Sequence, residues 1–162
     1  MGFDFPGYTL RPAAPEDRQY FVECMAEGLL ASVDDLEFEH AGTWMPASAS
    51  FMEGYLEGGF MGNELFILEG GGERAGMLWL EKTSEQFTCE DTGYVLGIHV
   101  GRGHRGKGLA RAMISYAEEW AKERGCMHLN INCGTANAPA MSLYESAGYG
   151  KRSVTFRKDL YP

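Results

Sequence analysis

Four of the eight residues from Gly101 to Gly108 are glycine, and three of the others, Arg102, Arg105 and Lys107, are basic. An apolar stretch of strand length, Tyr94–Val100, leads into them. A segment with helical periodicity, Gly106–Arg124, leads out, with Leu109, Met113, Tyr116, Ala117 and Trp120 on one face and Gly125 as a stop. The first turn of a helix leaves several N–H groups without intrahelical partners, and the macrodipole puts partial positive charge there. Glycines let the backbone close around an anion without Cβ clashes. A strand–turn–helix of this composition predicts a cradle for a phosphate or pyrophosphate. The formal net charge of the chain is −9, so the basic turn is a local exception.

Two other phosphate motifs share some of these letters. Gly101-x-Gly103-x-x-Gly106 matches the dinucleotide fingerprint, but that motif needs an acid at the end of the following strand, and Gly125-Cys-Met-His-Leu-Asn has none. A Walker loop needs Ser or Thr after the lysine, whereas Gly108 follows Lys107. The remaining plain reading is a glycine-rich connector with solvated basic residues.

Elsewhere, Tyr8–Arg11 reads as a first strand, and Pro12 and Pro15 lead into a helix over Glu16–Leu30. Tyr20, Phe21, Cys24, Met25 and Leu29 recur there at helical spacing, with Asp17 in the first turn. A second helix is expected around Ala49–Glu57. Glu64–Glu69 and Ala75–Glu81 read as two strands joined by a turn at Gly70–Arg74. His128–Cys133 is the next strand, Ala138–Ala147 the next helix, and Val154–Leu160 a closing strand. At 162 residues the chain fits one domain, and this element order predicts an α/β (α+β) fold with one mixed sheet covered by helices.

The segment Asn137-Ala-Pro-Ala-Met-Ser-Leu-Tyr144-Glu-Ser-Ala-Gly148-Tyr149 reads physically as a short capped helix. Asn137 is a good N-cap, Pro139 is tolerated in the first turn, and Gly148 suits the C′ position. On that account Tyr144 is a core tyrosine.

The two segments together resemble the GNAT acetyltransferases. Arg105-Gly-Lys-Gly108-Leu-Ala110 is similar to that family's R/Q-x-x-G-x-G/A loop, and Asn137–Tyr149 to its N-x-x-A-x-x-L-Y-E-x-x-G-F signature. Tyr8–Asp17 and Val154–Leu160 look like the family's first and last elements. The resemblance implies a mostly antiparallel mixed sheet flanked by helices, and acetyl-coenzyme A as cosubstrate with no metal. It implies that Arg105, Gly106, Lys107, Gly108, Leu109 and Ala110 hold the diphosphate. Ile98, His99 and Val100 would bind the pantetheine arm and acetyl oxygen through backbone, and Asn137 would contact the coenzyme. It implies that the Tyr144 hydroxyl protonates the departing thiolate, a credible role for a positioned phenol.

The implied reaction is direct attack of a primary amine of a small molecule or peptide on the thioester. A lysine-like amine is only about 0.04% neutral at pH 7, so proton removal matters. Two positions where some family members carry a glutamate base are Tyr94 and Asn132 here; Glu90, Asp91, His99 or a water chain could substitute. Their absence also leaves open a coenzyme-binding sensor or scaffold that does not turn over. Acceptor specificity is expected from Glu27–Phe60.

Composition excludes other classes. The acidic balance disfavours nucleic acid and anionic membrane surfaces. No apolar run approaches the roughly 20 residues that span a bilayer. The N-terminus lacks the features of a secretory signal, which predicts a cytoplasmic protein. Cys24, Cys89, Cys126 and Cys133 form no C-x-x-C pair and are expected as reduced, mostly buried thiols. Monomer and homodimer are both compatible with this length and charge.

Overall fold

The computed structural model describes residues 2–33, 41–43, 45, 46, 48, 50, 54, 63–85, 88–158 and 160. Strand β1 (Tyr8–Pro12) is followed by a 3-10 turn (Pro15–Asp17) and helix α1 (Arg18–Leu30). Strands β2 (Asn63–Gly70), β3 (Glu73–Ser84) and β4 (Asp91–Val100) come next. A second 3-10 turn (Arg102–His104) leads to helix α2 (Leu109–Glu123), strand β5 (His128–Ile131) and helix α3 (Ala138–Ser146). The helix expected at Ala49–Glu57 falls outside the described residues except for Ser50 and Gly54, both helical.

The sheet has the order β1-β2-β3-β4-β5. The first three pairings are antiparallel and β4–β5 is parallel, so the sheet is mixed and mostly antiparallel as expected. Side chains of β2 and β3 alternate between two buried faces. Phe66, Leu68, Leu78 and Leu80 pack beneath α2 with Leu109, Met113, Ala117 and Trp120. Leu65, Ile67, Met77 and Trp79 pack against Phe21 and Cys24 of α1, where the Phe21 and Trp79 rings meet edge-on at 5.1 Å. Burying both faces explains why β2 and β3 read as continuous apolar runs.

Asp17 does more than face a helix dipole. It is fully buried, and its carboxylate accepts from Arg11 Nη1 (2.6 Å), Arg74 Nε (2.7 Å) and the Ala14 N–H (2.8 Å). The two guanidiniums and the amide hold its carboxyl well below the usual carboxylate range. This pins the entry of α1 onto β1 and β3.

Several features differ from the sequence reading: α1 starts at Arg18 rather than Glu16, β3 extends over Glu73–Ser84, β4 begins at Asp91 rather than Tyr94, and of the four cysteines only Cys24 is buried. Helix α2 starts at Leu109 rather than Gly106, because Gly106 and Gly108 adopt left-handed φ of 79° and 87°. Strand β5 stops at Ile131, two residues early. The closing strand at Val154–Leu160 is a correction: residues 151–158 carry no strand, and Val154, Phe156 and Leu160 are 68%, 93% and 75% exposed. Alternating apolar residues are a local pattern, whereas a strand also needs a neighbouring backbone, and this segment has none on β5.

Candidate functional site

Strand β4 is paired along its whole length on one side and only in part on the other. It runs against β3 from Asp91↔Ser84 to Val100↔Gly76, but meets β5 only over Thr92–Val95. The register with β3 slips between Trp79↔Gly97 and Leu80↔Val95, leaving Leu96 as the extra residue of a β-bulge. The bulge lies where β5 departs. Beyond it, none of the described residues pairs with the β5 side of Leu96–Val100, a backbone edge with which an extended, amide-bearing chain can pair. Ile98, His99 and Val100 all lie on this bare half.

Its upper end runs directly into the glycine turn. The Gly101 N–H donates to Ala75 O (2.8 Å) and the His104 N–H to Gly101 O (2.9 Å), anchoring the turn to the sheet. In α2 the Ala112 N–H donates to Gly108 O (3.1 Å). The N–H groups of Leu109, Ala110 and Arg111, which precede that first full turn, therefore face the helix's open end. Leu109 is buried and anchors the start of α2, while Arg105, Gly106, Lys107 and Gly108 are exposed. Space around Gly106 is free, and a Cβ on Gly108 would meet only Phe5, at 4.0 Å. A diphosphate fits this cradle by shape and by donor chemistry.

Two basic side chains of the turn, Arg105 and Lys107, are already engaged. Arg105 Nε donates to Val100 O (2.7 Å), and its Nη2 reaches Glu27 Oε2 on α1 at 3.4 Å. Lys107 Nζ donates to Tyr8 Oη (2.9 Å). Arg111 Nη2 donates to Ser146 Oγ (2.6 Å), tying α2 to α3. Sequence reasoning missed Tyr8, Glu27 and Ser146. Each comes from a distant stretch of chain, with no local pattern to mark it.

Asn137 and Tyr144 lie on the other arm of the opening. Asn137 caps α3, its Oδ1 accepting from the Ala140 N–H (3.2 Å), while Nδ2 reaches Ser32 Oγ (3.5 Å) beyond α1. Tyr144 is half-buried in the last turn of α3, and the segment after β5 brings Cys133 beside it. Burial, with a smaller contribution from Cys133, pushes the Tyr144 hydroxyl up to about 12. The neutral phenol thus persists at pH values where a free tyrosine ionises. Among the described residues, the Tyr144 hydroxyl makes no hydrogen bond to residues 98–100.

The four groups considered for proton removal separate clearly. Glu90 pairs with His128 (3.4 Å) and Asp91 with Lys82 (2.7 Å), both at the start of β4. Five residues of strand, about 16 Å, divide Asp91 from the bulge. His99 lies on the bare half, with Nε2 at 3.7 Å from Glu27 Oε2. Burial lowers its pKa, outweighing the carboxylate, so the ring is held neutral and able to accept a proton. A water chain would demand no particular side chain. No group of three or more His, Cys, Asp or Glu side chains able to hold a metal occurs among the described residues. No helix among them is long and apolar enough to cross a membrane.

The same organisation recurs in known proteins. A structure of a GCN5-related N-acetyltransferase from Ralstonia eutropha JMP134 superposes with a TM-score of 0.75 over 94% of this chain and 99% of that one, at 17% identity, which shows the shared fold. The chain is 38% identical over 66 residues to streptothricin acetyltransferase of Streptomyces lavendulae, covering 41% of this chain and 32% of that protein. It is 32% identical over 76 residues to aminoglycoside N(6')-acetyltransferase type 1 of Serratia marcescens, covering 44% and 52%. The chain thus spans about a third to a half of these curated relatives. The sequence model of the Acetyltransferase (GNAT) family matches residues 31–149, from the end of α1 through the helix that carries Tyr144. With bulged strand, glycine turn and signature helix all inside that span, the chain belongs to the GNAT acetyltransferase family.

Proposed function

We propose that this protein is an acetyl-CoA-dependent N-acetyltransferase acting on a primary amine of a small molecule or peptide. The observation that carries the reading is the bare half of β4 running straight into a left-handed glycine turn and a helix N-terminus. Backbone donors for an extended amide chain and N–H groups for a diphosphate lie in series, in the order that coenzyme A presents its parts.

The acetyl thioester supplies the activated acyl group; the protein supplies position and proton handling. The Leu109, Ala110 and Arg111 N–H groups hold the diphosphate, with Arg105 and Lys107 adding charge. Residues 98–100 fix the pantetheine arm through backbone, and one of their N–H groups faces the oxyanion. Asn137 orders the start of α3 and borders the coenzyme. Tyr144, neutral at working pH, donates to the thiolate as it leaves. His99, held neutral by burial and next to Glu27, takes the amine proton directly or through water. The acidic balance of the chain favours a cationic acceptor. The two relatives above are named for acetyl transfer to streptothricin and to aminoglycosides, which makes such amine-bearing small molecules the first acceptors to try.

Release of free coenzyme A from acetyl-CoA, measured over a panel of amines and N-terminal peptides, tests the proposal. Turnover on at least one amine is expected. Tight coenzyme binding without turnover on any acceptor would instead mark a sensor or scaffold.

A further inference from the structure

Lys107, in the glycine turn, does not extend into solvent; it is tethered to the opposite edge of the sheet. Its Nζ donates to Tyr8 Oη (2.9 Å) on β1. The Tyr8 O–H is free to donate in turn to His104 Nδ1, 3.0 Å away. A ring nitrogen that accepts carries no hydrogen, so the His104 proton sits on Nε2, which faces Glu73 Oε1 at 3.2 Å. Each polar atom from Lys107 through Tyr8 and His104 to Glu73 has one consistent role.

The tyrosine at the centre of this chain is held from several sides. Its ring meets Phe5 and His104 edge-on, each at 5.7 Å. It lies across Gly70, its register partner on β2, where a Cβ would come within 2.3 Å of the ring. Phe5 in turn is the atom group nearest to a Cβ placed on Gly108, so the cluster borders the same face of the turn as the anion cradle.

We propose that Tyr8 is a positioning residue for Lys107, holding its ammonium at the rim of the glycine turn to meet a phosphate of the coenzyme. The inference rests on the coenzyme-binding reading above. A lysine side chain has many rotamers to lose, so one fixed before binding loses less on binding. One hydrogen of the ammonium goes to Tyr8, and two remain for the phosphate oxygens.

Calorimetric titration with coenzyme A of the wild type, Tyr8→Phe, Lys107→Met and the double variant tests it. Tyr8→Phe keeps the ring and its packing, so the fold survives, which a thermal melt checks. It should weaken coenzyme affinity about three- to tenfold in the wild-type background, the scale of one ordinary hydrogen bond, and do nothing further in Lys107→Met. In steady state, KM for acetyl-CoA should rise with kcat unchanged, a split that general loss of structure does not produce. Equal weakening in both backgrounds, or unchanged affinity in Tyr8→Phe, overturns the proposal. A wild type that fails to bind coenzyme A would instead overturn the reading beneath it, and that titration is done first.

Discussion

The two halves of β4 share one strand and one antiparallel neighbour, yet only one half is a closed structural element. Over Thr92–Val95 the strand lies between β3 and β5; Thr92 and Val95 are 1% and 3% exposed, and a Cβ on Gly93 would run into Leu129, Ala121 and Trp120. Over Leu96–Val100 the β3 side is unchanged, but β5 has left and every residue is part-exposed. A single extra residue at the bulge separates the two. A sheet can keep an unpaired backbone edge in this way: the lower half is paired on both sides, while the upper half is paired, among the described residues, with β3 alone and held by the packing of Leu96, Ile98 and Val100 against the two cores.

The difference predicts that changes above the bulge strike binding and chemistry, while those below strike stability. The largest effect is expected at the top, from Gly108→Val. A β-branched residue is strained at φ 87° and places its side chain in the cradle, so coenzyme affinity should fall about a hundredfold or more while the melting transition stays cooperative, a few degrees lower. Calorimetric titration with coenzyme A checks this, and tight binding by the variant would break the assignment of the turn. Next is Tyr144→Phe, which should lower kcat roughly tenfold to a thousandfold with coenzyme affinity nearly intact. Unchanged turnover would remove Tyr144 from the chemistry.

Below the bulge, Val95→Ala should cost about 1–3 kcal/mol of unfolding free energy in denaturant titration and leave kcat/KM of the folded enzyme unaltered. A loss of activity without a loss of stability there would erase the distinction between the halves. The smallest effect concerns His99. Because burial lowers its pKa, the unfolded chain binds the proton more readily than the folded one. Stability should therefore hold above the ordinary histidine value near 6.5 and decline as pH falls below it. In His99→Gln that part of the pH dependence should vanish.

Much of this architecture was legible along the chain because it depends on neighbours in sequence. The apolar spacing of Leu109, Met113, Ala117 and Trp120 produces α2, and all four are buried as that spacing requires. A glycine turn joins β2 to β3 within the expected Gly70–Arg74, tightened to Gly71-Gly72, and Asn137 caps α3. The bulge was not legible. Leu96 sits inside an apolar run and differs from its neighbours only in having no partner on β3. Nor was the clamp on Asp17, whose two arginines lie 6 and 57 residues away. The apolar alternation at Val154 and Phe156 misled in the opposite direction, since it suggests a strand where no pairing follows.

By itself, then, the order of residues determined the helix with its glycine-rich start, the hairpin, and the family to which they belong. Those rest on backbone preference and periodicity, which act within a few residues. Tertiary structure alone decided that β5 leaves β4 at Leu96, that Lys107 is tied to Tyr8, and that Glu27 stands between His99 and Arg105. Register and side-chain contacts between distant segments are set when the whole core packs at once, and no local signal encodes them.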